Sequence, residues 1–123
     1  MSHAINARME ARLMAVTRIN KFTARAGAEE ALHNALLEIV PVIANADACR
    51  KVRMLSSLDR PGDFIVYEEW DSVEAHKKAA RQIPAAHIAK ITALLEGAPE
   101  GDYYAGVIRR RGSAAAARRQ RRR

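Results

Sequence analysis

Asn20, His76 and His87 are the side chains of this chain best placed for proton chemistry, and Tyr67, Trp70 and Tyr104 could line a pocket around them. Asn20 is an amide in an otherwise apolar or β-branched neighbourhood near the end of a strand-like run. There it can orient a bound group; capping a strand edge is the plainer alternative. His87 shares a helical face with Ile91 and Leu94, which points it inward, and its ordinary pKa suits a general base. A satisfied core or surface histidine is the competing reading. His76 lies on a stripe with Val73, Ala80 and Ile83. Tyr67 and Tyr104 offer hydroxyls to a pocket, or simply fill a core or an interface. Trp70, the one tryptophan, reads as a packing anchor at a strand end that can also form a cavity wall.

Several chemistries lack their residues. His76 and His87 stand eleven apart with a break between them, and no histidine–carboxylate set has metal-ligand spacing, so no metal site is expected. No glycine loop for phosphate and no Gly-x-Ser-x-Gly elbow occurs. His3 and His33 read as exposed. The single cysteine, Cys49, excludes an intrachain disulfide or a cysteine-based metal site and fits a reducing, cytoplasmic setting. Near the start of a strand it reads as a small buried hydrophobe.

The elements that must position these residues follow from periodicity. Leu13 to Phe22 is strand-like, and Gly27 punctuates its end. From about Ala28 a helix carries Leu32, Leu36, Ile39, Val40 and Ile43 at helical spacing, with Glu29 and Glu30 in its first turn. Pro41 is expected to kink or interrupt it, because its ring crowds the Leu37 carbonyl. Cys49 to Ser72 then reads as strand, tight turn, strand and helix start. Pro61-Gly62 supplies a type II turn, and Phe64-Ile65-Val66-Tyr67 is a β-branched and aromatic run. Asp71-Ser72-Val73-Glu74 resembles a capping box with Asp71 as the cap. A short helix from Ser72 to about Arg81 breaks at Ile83-Pro84. A second helical stretch carries Ile88, Ile91 and Leu95 towards a stop at Gly97, and Tyr103 to Ile108 reads as a last strand.

This is a βαββαβ order with a split second helix: an α+β, ferredoxin-like antiparallel sheet with helices on one face. The first and third strands carry sizeable apolar side chains on both parities, such as Phe64 and Val66 against Ile65 and Tyr67. Helices cover only one face, so a second copy is expected on the other, giving a homodimeric barrel.

At 123 residues there is room for one domain, read as residues 13–108 between a short extension (1–12) and an arginine-rich tail (109–123). The net charge of +7 belongs to that tail. It holds eight arginines, and without them 13 basic residues face 14 acidic ones. The tail reads as disordered and able to contact nucleic acid weakly and non-specifically, since no aromatic residue interleaves it for base stacking. No apolar run is long enough for a membrane span.

The passage Ile65-Val66-Tyr67-Glu68-Glu69-Trp70-Asp71-Ser72 resembles the antibiotic biosynthesis monooxygenase family of dimeric ferredoxin-like barrels. Gly27 with Glu29-Glu30, Ile39-Val40-Pro41 and Cys49 add to the likeness, which runs from about Leu13 to Val107. Members often carry a histidine nine residues after the tryptophan; here that position is Ala79, with His76 three residues earlier. The haem-degrading branch is matched at two points. Asn20 stands seven residues before Gly27, and His87 follows Ala85-Ala86, whereas that branch's helix tryptophan also falls at Ala79.

The resemblance implies a monooxygenase working without a cofactor on a quinol-like or polyphenolic compound and O2. Such a substrate, once deprotonated, itself gives an electron to O2, and the protein supplies a dry cavity, a proton acceptor and stabilising polar groups. Asn20 and His87 are the expected catalytic pair, and Trp70, His76, Tyr67 and Tyr104 the expected pocket. A haem-binding or haem-degrading enzyme with His87 on the iron is the alternative. A non-catalytic protein using its basic tail on nucleic acid is a third reading.

Overall fold

The computed structural model describes residues 15–107; the N-terminal extension, the start of the expected first strand at Leu13, and the arginine-rich tail lie outside it. Four strands, β1 (Val16–Thr23), β2 (Cys49–Ser56), β3 (Asp63–Trp70) and β4 (Glu100–Ala105), form one antiparallel sheet in the order β2-β3-β1-β4. Three helices, α1 (Glu29–Ala44), α2 (Val73–Ala80) and α3 (Ala85–Thr92), fill the connections. This is the ferredoxin-like α+β arrangement that the sequence periodicities predict.

Alternation along β3 sorts the two faces. Phe64, Val66, Glu68 and Trp70 are buried beneath the helices, whereas Asp63, Ile65, Tyr67 and Glu69 are only half-buried on the other face. Register carries this sorting to the neighbours. Opposite those buried residues stand Phe22, Asn20, Arg18 and Val16 of β1, and β4 pairs Tyr103 with Arg18 and Gly101 with Asn20. The core packs Leu32, Ala35, Leu36, Ile39 and Ile43 of α1 and Ile91 of α3 against the sheet.

The β2–β3 turn is built as expected. Asp63 N–H donates to the Arg60 carbonyl at 3.1 Å across Pro61-Gly62, and Gly62 takes a φ of +94°, which a side chain would strain. Other expectations need correction. Helix α1 runs through Pro41 to Ala44. Proline in the last turn forgoes a single N–H bond, and the buried Ile39 and Ile43 on either side hold that turn to the sheet. The cap of α2 is Ser72, whose hydroxyl accepts from Ala75 N–H at 3.1 Å. Asp71 instead pairs with Arg50 at 2.6 Å, tying β2 to the end of β3.

Helix α3 stops at Thr92, short of Gly97, because the following residues join β1. Arg25 N–H donates to the Leu94 carbonyl and Glu96 N–H to the Thr23 carbonyl, each at 2.9 Å. That early exit lets β4 begin at Glu100, three residues ahead of the expected Tyr103.

Candidate functional site

The helix-facing side of β1 and β3 carries a feature unusual for a core: a polar row. Glu68 is 3% exposed, yet lies between the apolar Val66 and Trp70 on the same face. Burial of a carboxylate is costly unless its oxygens are bonded, and here both are. Oε1 accepts from the Trp70 indole N–H and Oε2 from the Asn20 amide, each at 2.8 Å. Asn20 in turn accepts at Oδ1 from Arg18 Nε at 3.0 Å, so the amide is fixed at both ends. The Arg18 guanidinium stacks over the Tyr103 ring, 4.5 Å from its centroid.

Helix α2 closes the row from above. Its Ser72 cap sets the first turn, and one turn on His76 reaches down to the sheet. The imidazole meets Trp70 and Tyr103 edge to face, with centroids 5.3 Å away in each case. His76 Nδ1 shares a hydrogen bond of 2.5 Å with the Tyr103 hydroxyl, and Nε2 stands 3.8 Å from Glu68 Oε1.

Electrostatics follow from burial. The Glu68 carboxyl is pushed above the usual carboxylate range by desolvation, against the opposing pull of the Trp70 N–H, the Arg18 charge and the Asn20 amide. The His76 imidazole is held down to about 4, first by burial and then by the Arg18 and Lys77 cations. His76 is therefore neutral at neutral pH.

Arg18, Asn20, Glu68, Trp70 and His76 form one wall of a cavity of about 450 Å3 between the sheet and the helices, with Tyr103 behind them outside the lining. Ile39, Ile43, Val66, Ala79, Ile83 and Ile91 supply most of the rest, while exposed Asn45 and Gln82 bring polar groups to its mouth. That is the size and character of a small-molecule site. Among the described residues no group of three His, Cys, Asp or Glu side chains is arranged to hold a metal ion. Nor does any helix there have the length and apolarity to cross a membrane.

Of the residues singled out in the sequence, Asn20, Trp70 and His76 meet in this wall. His87 does not join them: it lies half-buried on α3, outside the lining and within the field of Glu38. Tyr67 and Tyr104 pair with Ile19 and Thr17 on the opposite sheet face, so their hydroxyls point away from the cavity. Arg18, Glu68 and Tyr103 belong to the row although sequence reasoning passed over them. The parity of β3 carried a signal, since Glu68 is the lone carboxylate in the series Phe64, Val66, Glu68, Trp70. Tyr103 carried none, because its face depends on the register with β1. Cys49, half-buried with its thiol pushed up by desolvation, is no activated nucleophile.

The fit to haem is poor. The lining contains His76 alone among the described histidines, and its Nδ1 is engaged by Tyr103, while His87 stands outside.

Known structures share this architecture. A conserved protein from Methanosarcina mazei Go1 superimposes with a TM-score of 0.72 at 13% identity, over 80% of this chain and 99% of that one. SnoaB, a cofactor-independent oxygenase from Streptomyces nogalater, gives 0.68 at 19% identity, over 77% and 95%. Rv0793 from Mycobacterium tuberculosis gives 0.69 at 22%, over 77% and 97%. At these identities the likeness is one of fold. No curated protein sequence matches this one. The profile of the antibiotic biosynthesis monooxygenase family does, over residues 15–89, which cover β1 through the first part of α3 and bring Arg18, Asn20, Glu68, Trp70 and His76 under a single match. Matched over more than half its length, the chain belongs to the antibiotic biosynthesis monooxygenase family.

Proposed function

We propose that the chain is a cofactor-independent monooxygenase that oxidises a quinol-like or polyphenolic compound with O2 inside this cavity. The observation that carries the reading is the polar row from Arg18 to His76 set into one wall of an otherwise mainly apolar chamber. The overall reaction balances as dihydroxy-aromatic plus O2 giving hydroxyquinone plus water. One oxygen atom enters the ring, the other leaves as water, and the substrate supplies all the electrons.

His76 is the proton acceptor in this scheme, in place of His87. With Nδ1–H donating to the Tyr103 oxygen, Nε2 keeps a free lone pair for the phenolic proton. The imidazolium so formed faces the Glu68 carboxyl, 3.8 Å away, which offsets its weak basicity when that carboxyl is ionised. Asn20, held by Arg18 and Glu68, orients the phenolate or the reduced oxygen species, and the Arg18 charge stabilises the anion. The apolar walls keep water from intercepting the radical pair. A second copy of the chain covers the open sheet face and leaves this chamber to each subunit separately.

The test is O2 consumption over a panel of dihydroxy-aromatics, run beside a haem titration. Turnover with at least one of them is expected, falling about 10²-fold or more in Asn20→Ala and in His76→Ala. Uptake no faster than in buffer across the panel would overturn the reading. Stoichiometric haem binding without quinol turnover would turn it towards the haem-degrading branch.

A further inference from the structure

Three cross-strand partners stand abreast on the helix-facing side of the sheet: Glu68 of β3, Arg18 of β1 and Tyr103 of β4. His76 of α2 spans the two ends of that row. Its Nδ1 meets the Tyr103 hydroxyl at 2.5 Å, while Nε2 lies on the Glu68 side, 3.8 Å from Oε1. The two ring nitrogens therefore have different neighbours, a phenol and a carboxyl. Tyr103 takes part from behind the wall, outside the cavity lining.

Counting donors decides which nitrogen carries the proton. Were the phenol to donate to Nδ1, the proton would sit on Nε2 and need an acceptor. Glu68 Oε1, on that side, is beyond hydrogen-bond reach and already accepts from the Trp70 indole. With Nδ1–H donating to the phenol oxygen, the ring's one donor is satisfied. The hydroxyl hydrogen can turn to water, since Tyr103 is half-buried on the edge strand β4. What then stays unpartnered on the ring is a lone pair rather than a buried N–H.

We infer that Tyr103 is a positioning residue that locks His76 as the Nδ1–H tautomer and leaves Nε2 as the only ring nitrogen exchanging protons with the cavity. This rests on reading His76 as the base of the proposed oxidation, and it brings the edge strand into the site. That oxidation releases no net proton, so the base must return what it takes. The phenolic proton of the substrate passes to Nε2 and forms the imidazolium, with Nδ1–H still held by Tyr103. The same proton later leaves Nε2 for the reduced oxygen that departs as water, which restores the neutral ring in its starting tautomer. Free histidine prefers its proton on Nε2, so without the phenol the lone pair used in this step would be filled. The phenol is itself held in place. The Arg18 guanidinium stacks on its ring, and the His76 imidazole packs against that ring at a 5.3 Å centroid distance.

The tautomer is read directly in long-range proton–nitrogen NMR correlation spectra of the full chain with isotope-labelled histidine, at neutral pH where the ring is uncharged. The His76 signals, assigned by their loss in His76→Gln, should show a protonated Nδ1 and a bare Nε2. Tyr103→Phe removes one hydroxyl and keeps the stacking ring. It should move the proton to Nε2 and lower kcat about tenfold, with KM within about twofold. Tyr104→Phe, whose hydroxyl lies on the opposite sheet face, should leave the spectrum and kcat unchanged. A protonated Nε2 in the parent, a Tyr103→Phe spectrum equal to the parent's, or a shifted tautomer with kcat intact would each overturn the inference. If no dihydroxy-aromatic is turned over, a proton that moves to Nε2 in Tyr103→Phe still sustains the lock, and the oxygenase reading alone falls.

Discussion

The Asn20 amide donates to Glu68 Oε2 at 2.8 Å, joining two strands whose residues are 48 positions apart in the chain. Through this bond an amide in the interior of β1, not at the strand end that the sequence suggests, becomes a fixed element of a cavity wall. Its carbonyl is turned to Arg18 and its nitrogen to a carboxylate. Asn20 is immobilised because Glu68 is buried, and Glu68 tolerates burial because Asn20 and Trp70 satisfy it.

Glu68→Leu leaves the Trp70 and Asn20 donors without their acceptor. An unsatisfied buried donor costs about 1–3 kcal/mol, so the variant should lose several degrees of melting temperature. Glu68→Gln retains one acceptor oxygen and should fall between it and the parent. Circular dichroism melts check the order, and a Trp70 emission shift in the leucine variant checks the cause. A melting temperature equal to the parent's would show that the bond contributes nothing to the fold.

His76 sets a pH dependence of stability. Its folded pKa, about 4, lies below its ordinary 6.5, so between these values the unfolded chain binds the proton and the folded chain does not. Stability from His76 is therefore complete above pH 6.5 and is lost on acidification towards 4. Glu68, shifted upward, acts in the opposite sense: its burial penalty is relieved as pH falls through its raised pKa. Urea midpoints from pH 4 to 8 should decline on the acid side, and His76→Gln should flatten that decline. An unchanged slope in the variant would assign the acid sensitivity elsewhere.

Gly101→Ala should disturb the site more than the fold. Its Cβ would drive Arg18 off Asn20, whereas Gly97→Ala, with nothing within 4 Å of its Cβ, is a matched control. We expect a loss of ligand affinity or turnover of about tenfold for Gly101→Ala, with Gly97→Ala unaffected. Equal behaviour of the two would show that the Arg18 position does not matter to the cavity.

The open sheet face gives the oligomer prediction. Ile19, Ile65 and Tyr67 share it with Leu55 and Tyr104, which are 40% and 47% exposed. Contiguous apolar surface of this kind is ordinarily covered. Light scattering at micromolar concentration should give twice the chain mass, and Ile65→Glu should halve it while the fold persists. A monomer in the parent would refute face-to-face pairing.

Periodicity in the sequence was enough for the βαββαβ order, the Pro61-Gly62 turn and the buried stripe of α1, because each depends on neighbours within a turn or a strand. The same local logic brought out Trp70 and His76, while Asn20 was singled out mainly by the family resemblance. It could not settle which tyrosine faces the helices. A shift of one residue in the β1–β4 pairing would exchange Tyr103 for Tyr104, and only hydrogen bonding between strands far apart in the chain fixes it. His87 looked inward on its helical face, but where that face points depends on how α3 docks after its early stop at Thr92. The role of Glu68 was hidden for a related reason. A carboxylate on the apolar parity is a signal in the sequence, but its partners come from β1 and α2, and the tertiary structure alone brings those donors to it.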